Sequence, residues 1–365
     1  MNSVVQVVDL NHRYPGGPQS GAGFAVHDVS FEVGEGEFFA LLGPSGCGKT
    51  TTLRCIAGLE RPSSGTIRLN GDPVVEGKRS VPTHRRDIGM VFQDYAVWPH
   101  MTVYQNVAFP LTIGRTPRKN VRPMVEEALA MVGLDHLADR AGTQLSGGQQ
   151  QRLSLARALV RKPAVLLLDE PLSNLDAALR ERMRGELRQI QQEVRITTVL
   201  VTHDQVEALS MATRIALMKD GEVVQIATPR ELYERPANKF AAEFVGSGTF
   251  YDATVLELRG DTGLLVETSL GPVSAVSHHR HAVGGAVSMA IRPEDVAVHD
   301  RPPDSTDNVF PAKVRNVLYL GGAMDLHLEA GGVLLRAQVP VGGRSYAADD
   351  SVYVALDPRR CVVVA

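Results

Sequence analysis

Gly43-Pro44-Ser45-Gly46-Cys47-Gly48-Lys49-Thr50 stands directly after the strand-like run 37–42 and directly before a helical pattern. Strand, glycine-rich turn and helix, in that order, are the setting a phosphate-binding loop requires. The glycines let backbone N–H groups wrap phosphate oxygens, the Lys49 ammonium supplies a point charge to the β and γ groups, and the Thr50 hydroxyl can hold Mg²⁺. Pro44, Ser45 and Cys47 fill the turn, Cys47 as a spacer, and Thr51 continues the first helical turn. The segment predicts a bound nucleotide with its magnesium ion inside an α/β fold.

The first two-thirds of the chain alternates buried strands with amphipathic helices, the pattern of a mostly parallel sheet covered on both faces. Runs 37–42, 88–92, 164–168 and 197–201 lead into Gly43, Gln93, Asp169, and Thr202 with His203. Ligands bind at the carboxyl edge of such sheets, so four positions distant in sequence are expected along one rim. Between the second and third runs the pattern is helical over 121–131 and 147–160, which reads as a helical insertion at about residues 95–160. Leu179, Met183, Leu187, Ile190 and Val194 keep helical spacing in a covering helix. A hairpin turns at Asp220-Gly221, and a further helix opens at Thr228-Pro229.

Asp169-Glu170 places two carboxylates after an apolar strand, which is costly unless a cation or a water uses them. Asp169 is read as a magnesium ligand acting through the ion's hydration shell, and Glu170 as general base or orienter of the attacking water. His203 reaches a γ-phosphate or is a satisfied core residue, and Gln93 has the length to touch Mg²⁺ or water. Leu145-Ser146-Gly147-Gly148-Gln149 opens the apolar-periodic run 150–160. Ser146 with Gln149 forms a capping box, which needs no ligand, while the glycines leave unpaired N–H groups bare enough to meet a phosphate. One nucleotide and two anion sites fit a symmetric dimer in which each chain closes the other's site. Hydrolysis would remove the γ-phosphate contacts and open it.

Composition agrees with a soluble globular protein: 365 residues, 44% hydrophobic, 22% charged, long enough for two domains. These are expected at 1–240 and 246–365. A net charge of -3 gives no basic footprint, so no nucleic-acid partner is expected. Cys47, Cys55 and Cys361 show no metal or redox spacing and fit reduced cytosolic thiols. No apolar run reaches the roughly 18 residues of a spanning helix.

Past Gly246-Ser247-Gly248 short strands alternate with turns at 254–258, 287–291, 314–320 and 333–339, the pattern of a small all-β barrel. Residues 15–23 read as a Gly/Pro-rich loop and 300–307 as a polar connection. His278-His279-Arg280-His281 lacks partners at ligand spacing and reads as a solvated loop.

The phosphate loop, Gln93, Leu145 to Gln149, Asp169-Glu170, Ser173-Asn174-Leu175-Asp176 and His203 stand in the order of an ABC-type ATPase. The chain resembles the ATP-binding subunits of bacterial binding-protein-dependent importers from its start to about Gly246. The resemblance implies ATP and Mg²⁺ as ligands and a dimer around two MgATP. It also implies membrane-spanning permease subunits, an external solute-binding protein acting indirectly, and a peripheral place on the cytoplasmic face of the membrane. It makes Tyr14 the aromatic that stacks on adenine, Gln93 the sensor of the membrane partner, Glu170 the base, Asp176 a cross-dimer contact and His203 the γ-phosphate switch. Trp98, in the cluster Tyr95, Val97, Trp98 and Met101, would lie near the groove that receives the membrane subunit. Ala290-Ile291-Arg292-Pro293-Glu294-Asp295 is similar to the TOBE, oligomer-binding-like accessory barrel of such importers. Residues 308–320 resemble the polyamine and ferric-ion branch more than the sugar branch.

Overall fold

A computed structural model describes residues 3–14, 24–246, 248–304 and 307–364. The loop expected at 15–23, Ser247 and the centre of the 300–307 connection lie outside the described residues. The chain divides into two compact units, Met1–Pro229 and Arg230–Ala365. Helix Lys239–Phe244 thus groups with the second unit.

The first unit holds two sheets. Strands β1 (Ser3–His12), β2 (Val26–Gly34), β4 (Ser64–Leu69), β5 (Asp72–Glu76) and β6 (Arg79–Ser80) form an antiparallel sheet in the order β2-β1-β4-β5-β6. Strands β3 (Phe38–Leu42), β7 (Ile88–Val91), β8 (Val165–Asp169), β9 (Thr197–Thr202), β10 (Arg214–Lys219) and β11 (Glu222–Ala227) form the second, in the order β11-β10-β3-β9-β8-β7. All its neighbours run parallel except the β10–β11 hairpin at one edge. Every residue of β3, β8 and β9 is buried, which is why these strands read as unbroken apolar runs rather than as alternation.

Helices α1 (Lys49–Ala57), α5 (Ala177–Val194) and α6 (Gln205–Met211) accompany the parallel strands. Between β7 and β8 come α2 (Val103–Ile113), α3 (Arg118–Met131) and α4 (Gly147–Leu159). The core joins the inner faces of both sheets with α1: Phe31 stacks on Phe39 at 5.0 Å, beside Leu10, Leu41, Leu53 and Ile67.

In the second unit α7 (Pro229–Glu234) and α8 (Lys239–Phe244) precede strands β12 (Thr249–Arg259), β13 (Gly263–Thr268), β14 (Gly271–Val276), β15 (Ala286–Ile291) and β16 (Val296–His299). Strands β17 (Val309–Tyr319), β18 (Ala323–Ala330), β19 (Val333–Pro340), β20 (Ser351–Leu356) and β21 (Val362–Val364) follow. The expected barrel is present as β12-β13-β14-β21-β15, and the structure adds a five-stranded sheet, β16-β20-β17-β18-β19, sharing one core with it. Asn308, in left-handed backbone, staples the two: its side chain bonds both the N–H and C=O of Ser274 at 2.7 Å and donates to Leu356 O. Arg292 of the Ala290 to Asp295 motif is buried, donates to Tyr233 O and Val245 O, and lies 3.5 Å over the Tyr233 ring.

Candidate functional site

Register brings the expected residues together. Leu42 pairs with Thr202, Asp169 with Val201 and Val91 with Leu168, so β3, β9, β8 and β7 end side by side. With strands about 4.8 Å apart, Gly43, His203, Glu170 and Gln93 fall along one rim.

The loop after β3 demands glycine at two points. At Gly48, φ is +99° and a Cβ would sit 2.3 Å from Ala25 O; at Gly43 it would sit 2.3 Å from Met218 O. Gly46 has left-handed backbone with open space around it. Gly48→Ala is therefore expected to remodel the loop, lowering the thermal midpoint and abolishing the upward shift that MgATP gives the parent, as differential scanning fluorimetry would read.

Helix α1 then starts without a side-chain cap and without an acidic residue in its first turn, whereas Thr102, Ser146 and Asp176 cap α2, α4 and α5. Its first intrahelical bond runs from Thr52 N to Gly48 O, so the N–H groups of its first turn have no carbonyl partner within the helix and face the loop, the geometry that receives an anion. Lys49 is buried, and its Nζ donates to the carbonyls of Gly43 and Pro44 at 2.8 Å each. Cys47 Sγ packs at 3.7 Å from the same ammonium, and burial pushes its thiol pKa up, so it fills space rather than reacting.

Thr50 Oγ1 donates to Asp169 Oδ1 at 3.1 Å across 119 positions of sequence. Asp169 is 5% exposed, and burial raises its pKa against the lowering effect of the Thr50 hydroxyl. A desolvated carboxylate beside a hydroxyl is the hard oxygen set that a magnesium ion would relieve. Glu170, with φ of 45°, is tied by its N–H to Val201 O. Its Oε1 lies 3.2 Å from His203 Nδ1 and its Oε2 accepts from Gln93 Nε2 at 3.4 Å. The arrangement can hold a polyphosphate, a divalent cation and a water poised by a carboxylate.

Tyr14 is half-exposed, with its hydroxyl 3.0 Å from Thr51 Oγ1 and donating to Glu60 Oε1 at 3.0 Å, and its ring edge-on to His12. The ring is thus anchored beside the first turn of α1. Ser146 caps α4 as a capping box: Ser146 N donates to Gln149 Oε1 at 3.0 Å and Gln149 N to Ser146 Oγ at 3.4 Å. Gly147 is exposed, while a Cβ on Gly148 would press within 3.1 Å of Leu179. Asp176 caps α5 through Leu179 N at 2.9 Å. Among the described residues, none of the side-chain bonds of Ser146 or Asp176 reaches the Lys49 loop of the same chain. The residues missed from sequence are Asn174, whose Nδ2 donates to Gln93 O at 3.0 Å, and Glu60, which receives Tyr14 and pairs with His12 at 3.2 Å. Asn174 stands in the Ser173 to Asp176 motif, which assigns it no role of its own, and Glu60 carries no signal, because a glutamate just after a helix is ordinary until the fold shows what it touches.

Residues 26–173 match the ABC transporter family, and 345 residues are 45% identical to the spermidine/putrescine import ATP-binding protein PotA of Rubrobacter xylanophilus, covering 93% of this chain and 89% of that one. The chain belongs to the ABC transporter family. The ABC transporter match lies within the first unit, and residues 289–364, in the second, match the TOBE domain. The trehalose/maltose import ATP-binding protein MalK of Thermococcus litoralis is 48% identical over 316 residues, 85% of each chain. Among solved structures, cbiO1 from Clostridium perfringens, part of the ABC transporter complex cbiONQ, superposes with a TM-score of 0.58 at 31% identity over 67% of this chain and 93% of that one. A dimeric ATP-binding cassette in a post-hydrolysis state with ADP and Pi superposes with a TM-score of 0.54 at 33% identity, covering 62% and 99%. The cassette binds nucleotide and hydrolyses ATP.

Proposed function

We propose that this ABC ATPase energises the import of a polyamine, closing as a dimer around two MgATP and driving separate permease subunits that an external binding protein supplies. The observation that carries the reading is the shared rim. Lys49, the Thr50–Asp169 pair and the Glu170 carboxylate held between Gln93 and His203 are assembled within one chain, while Ser146 and Asp176 serve as helix caps there. An ATP site completed by the Ser146 end of a second copy accounts for both facts.

In this reading the loop 43–50 and Thr51 cradle the phosphates, with Tyr14 against the adenine. Thr50, Gln93 and, through the ion's water shell, Asp169 would hold the Mg²⁺, which when bound would neutralise phosphate charge. Glu170 takes the proton of the attacking water, and His203 holds the γ-phosphate while the dimer is closed. Gly147, Gly148 and Gln149 present the start of α4 to the partner's γ-phosphate. Among the described residues no helix is long and apolar enough to cross a membrane, which fits a peripheral subunit held on the cytoplasmic face by its permease.

Polyamine is favoured because PotA proteins from several bacteria are 42–48% identical to this chain. A sugar importer is the second reading, favoured by the 48% identity to a trehalose/maltose subunit. Uptake of labelled spermidine and of labelled maltose in cells lacking this chain separates them. Loss of spermidine uptake, restored by the parent gene and not by a Lys49→Ala gene, supports the first reading. Loss of maltose uptake alone supports the second, and unchanged uptake of both overturns import of either.

A further inference from the structure

Arg157 lies on α4, the helix that Ser146 caps, and its guanidinium is buried at 8% exposure. Among the described residues no carboxylate pairs with it; it is met instead by backbone. Nη1 donates to Ala96 O at 2.5 Å, Nη2 to Tyr95 O at 2.7 Å and to Ser154 Oγ at 3.5 Å, and the group sits 4.6 Å from the centre of the Trp98 ring. Tyr95 and Ala96 are successive non-glycine residues in left-handed backbone, with φ of 57° and 45°. Such a turn persists only where its surroundings fix it.

This turn follows Gln93 by two residues. The near end of the segment is tied to the rim, since Asn174 Nδ2 donates to Gln93 O and Gln93 Nε2 donates to Glu170 Oε2. The far end is tied to α2, where the fully buried Asn106 accepts from Trp98 N and donates to the carbonyls of Trp98, Met101 and Thr102. Between these anchors, among the described residues, only the Arg157 fork holds the two strained carbonyls. A buried cation without a counter-ion is an expensive way to pack a helix, for which a leucine would serve better. What the guanidinium adds is a planar pair of donors that binds two carbonyls at once while stacking on an indole.

We propose that Arg157 is a positioning residue for hydrolysis. It fixes the Tyr95 and Ala96 turn so that Gln93 stays within reach of Glu170, and it links the Ser146-capped helix to the reacting end of the site. This rests on the roles proposed above for Gln93 and Glu170.

The test is a double-mutant cycle on the full chain with MgATP, using Gln93→Ala, Arg157→Gln and the two combined, with thermal midpoints measured alongside. Gln93→Ala is expected to lower kcat. Arg157→Gln is expected to lower kcat about tenfold with KM for ATP within about twofold, the pattern of a lost transition-state interaction. In the Gln93→Ala background the same change is expected to have little further effect, because it acts through Gln93. Arg157→Lys, which keeps the charge and loses the fork, should fall between, and it carries the cycle if Arg157→Gln does not fold. Unchanged kcat in Gln93→Ala overturns the role of Gln93 and the inference with it. A normal kcat in Arg157→Gln, or losses that multiply independently in the double variant, overturns the role of Arg157 and leaves that of Gln93 standing.

Discussion

Glu170→Gln is expected to bind MgATP with parental affinity while hydrolysing it roughly 10²–10⁴-fold more slowly, the range for loss of a general base. The amide has the size of the carboxylate, so the Gln93 and His203 contacts keep a partner and the backbone bond from Glu170 N to Val201 O is unaffected. What is lost is the ability to accept a proton from water. With the γ-phosphate retained, the contacts that close the dimer persist, so the variant is expected to accumulate as a nucleotide-loaded dimer. Phosphate release measures the rate, fluorescent-nucleotide titration the affinity, and light scattering the mass. Turnover near the parental rate would refute the assignment of the base.

Lys49→Ala is expected to act one step earlier. The ammonium donates to Gly43 O and Pro44 O, so its removal strips the phosphate site of its point charge and leaves two loop carbonyls without their donor. Affinity for ATP should fall roughly hundredfold, about 2.8 kcal/mol. Dimer closure should vanish with it, even in a Glu170→Gln background. That order of effects distinguishes the two residues: Glu170→Gln traps nucleotide, whereas Lys49→Ala never holds it. Equilibrium titration of the two single variants and the double variant checks it, and retained ATP-driven dimerisation in Lys49→Ala would contradict it.

The parallel sheet and its rim were legible because β3, β8 and β9 are buried along their whole length and each ends at a residue whose chemistry is conspicuous after an apolar run. The antiparallel sheet was less so. Its strands β4 and β5, Ser-Gly-Thr-Ile-Arg-Leu and Asp-Pro-Val-Val-Glu, are short and half-exposed, and a proline and a glycine inside them weaken the strand pattern. Helix α2 was obscured by Pro110 in its interior and by apolar residues around its whole circumference, although Thr102 with Gln105 forms the capping box that marks its start. In the second unit the barrel was legible from strand spacing, but its division into a closed barrel and a second sheet depends on pairings such as β16 with β20 that join segments over 50 residues apart.

Within the site, the motif residues were legible and their connections were not. Thr50 and Asp169 each carry a signal of their own, but their hydrogen bond spans 119 positions. Glu60 and Arg157 carry none, because a glutamate after a helix and an arginine on one are ordinary until the fold shows what they touch. The structure also sharpened the Ser146 stretch: within one chain its cap is complete, with a long 3.4 Å bond from Gln149 N that leaves the hydroxyl loosely committed.

The most direct test of an ATP site shared between two copies is vanadate-trapped photocleavage of the full chain. Orthovanadate trapped with MgADP takes the place of the γ-phosphate, and near-ultraviolet light then cuts the backbone beside it. Mass spectrometry of the fragments is predicted to show two sets of cuts in the same sample, one within 43–50 and one within 145–149, both absent in Lys49→Ala. Stoichiometric trapping with cuts confined to 43–50 would contradict the account.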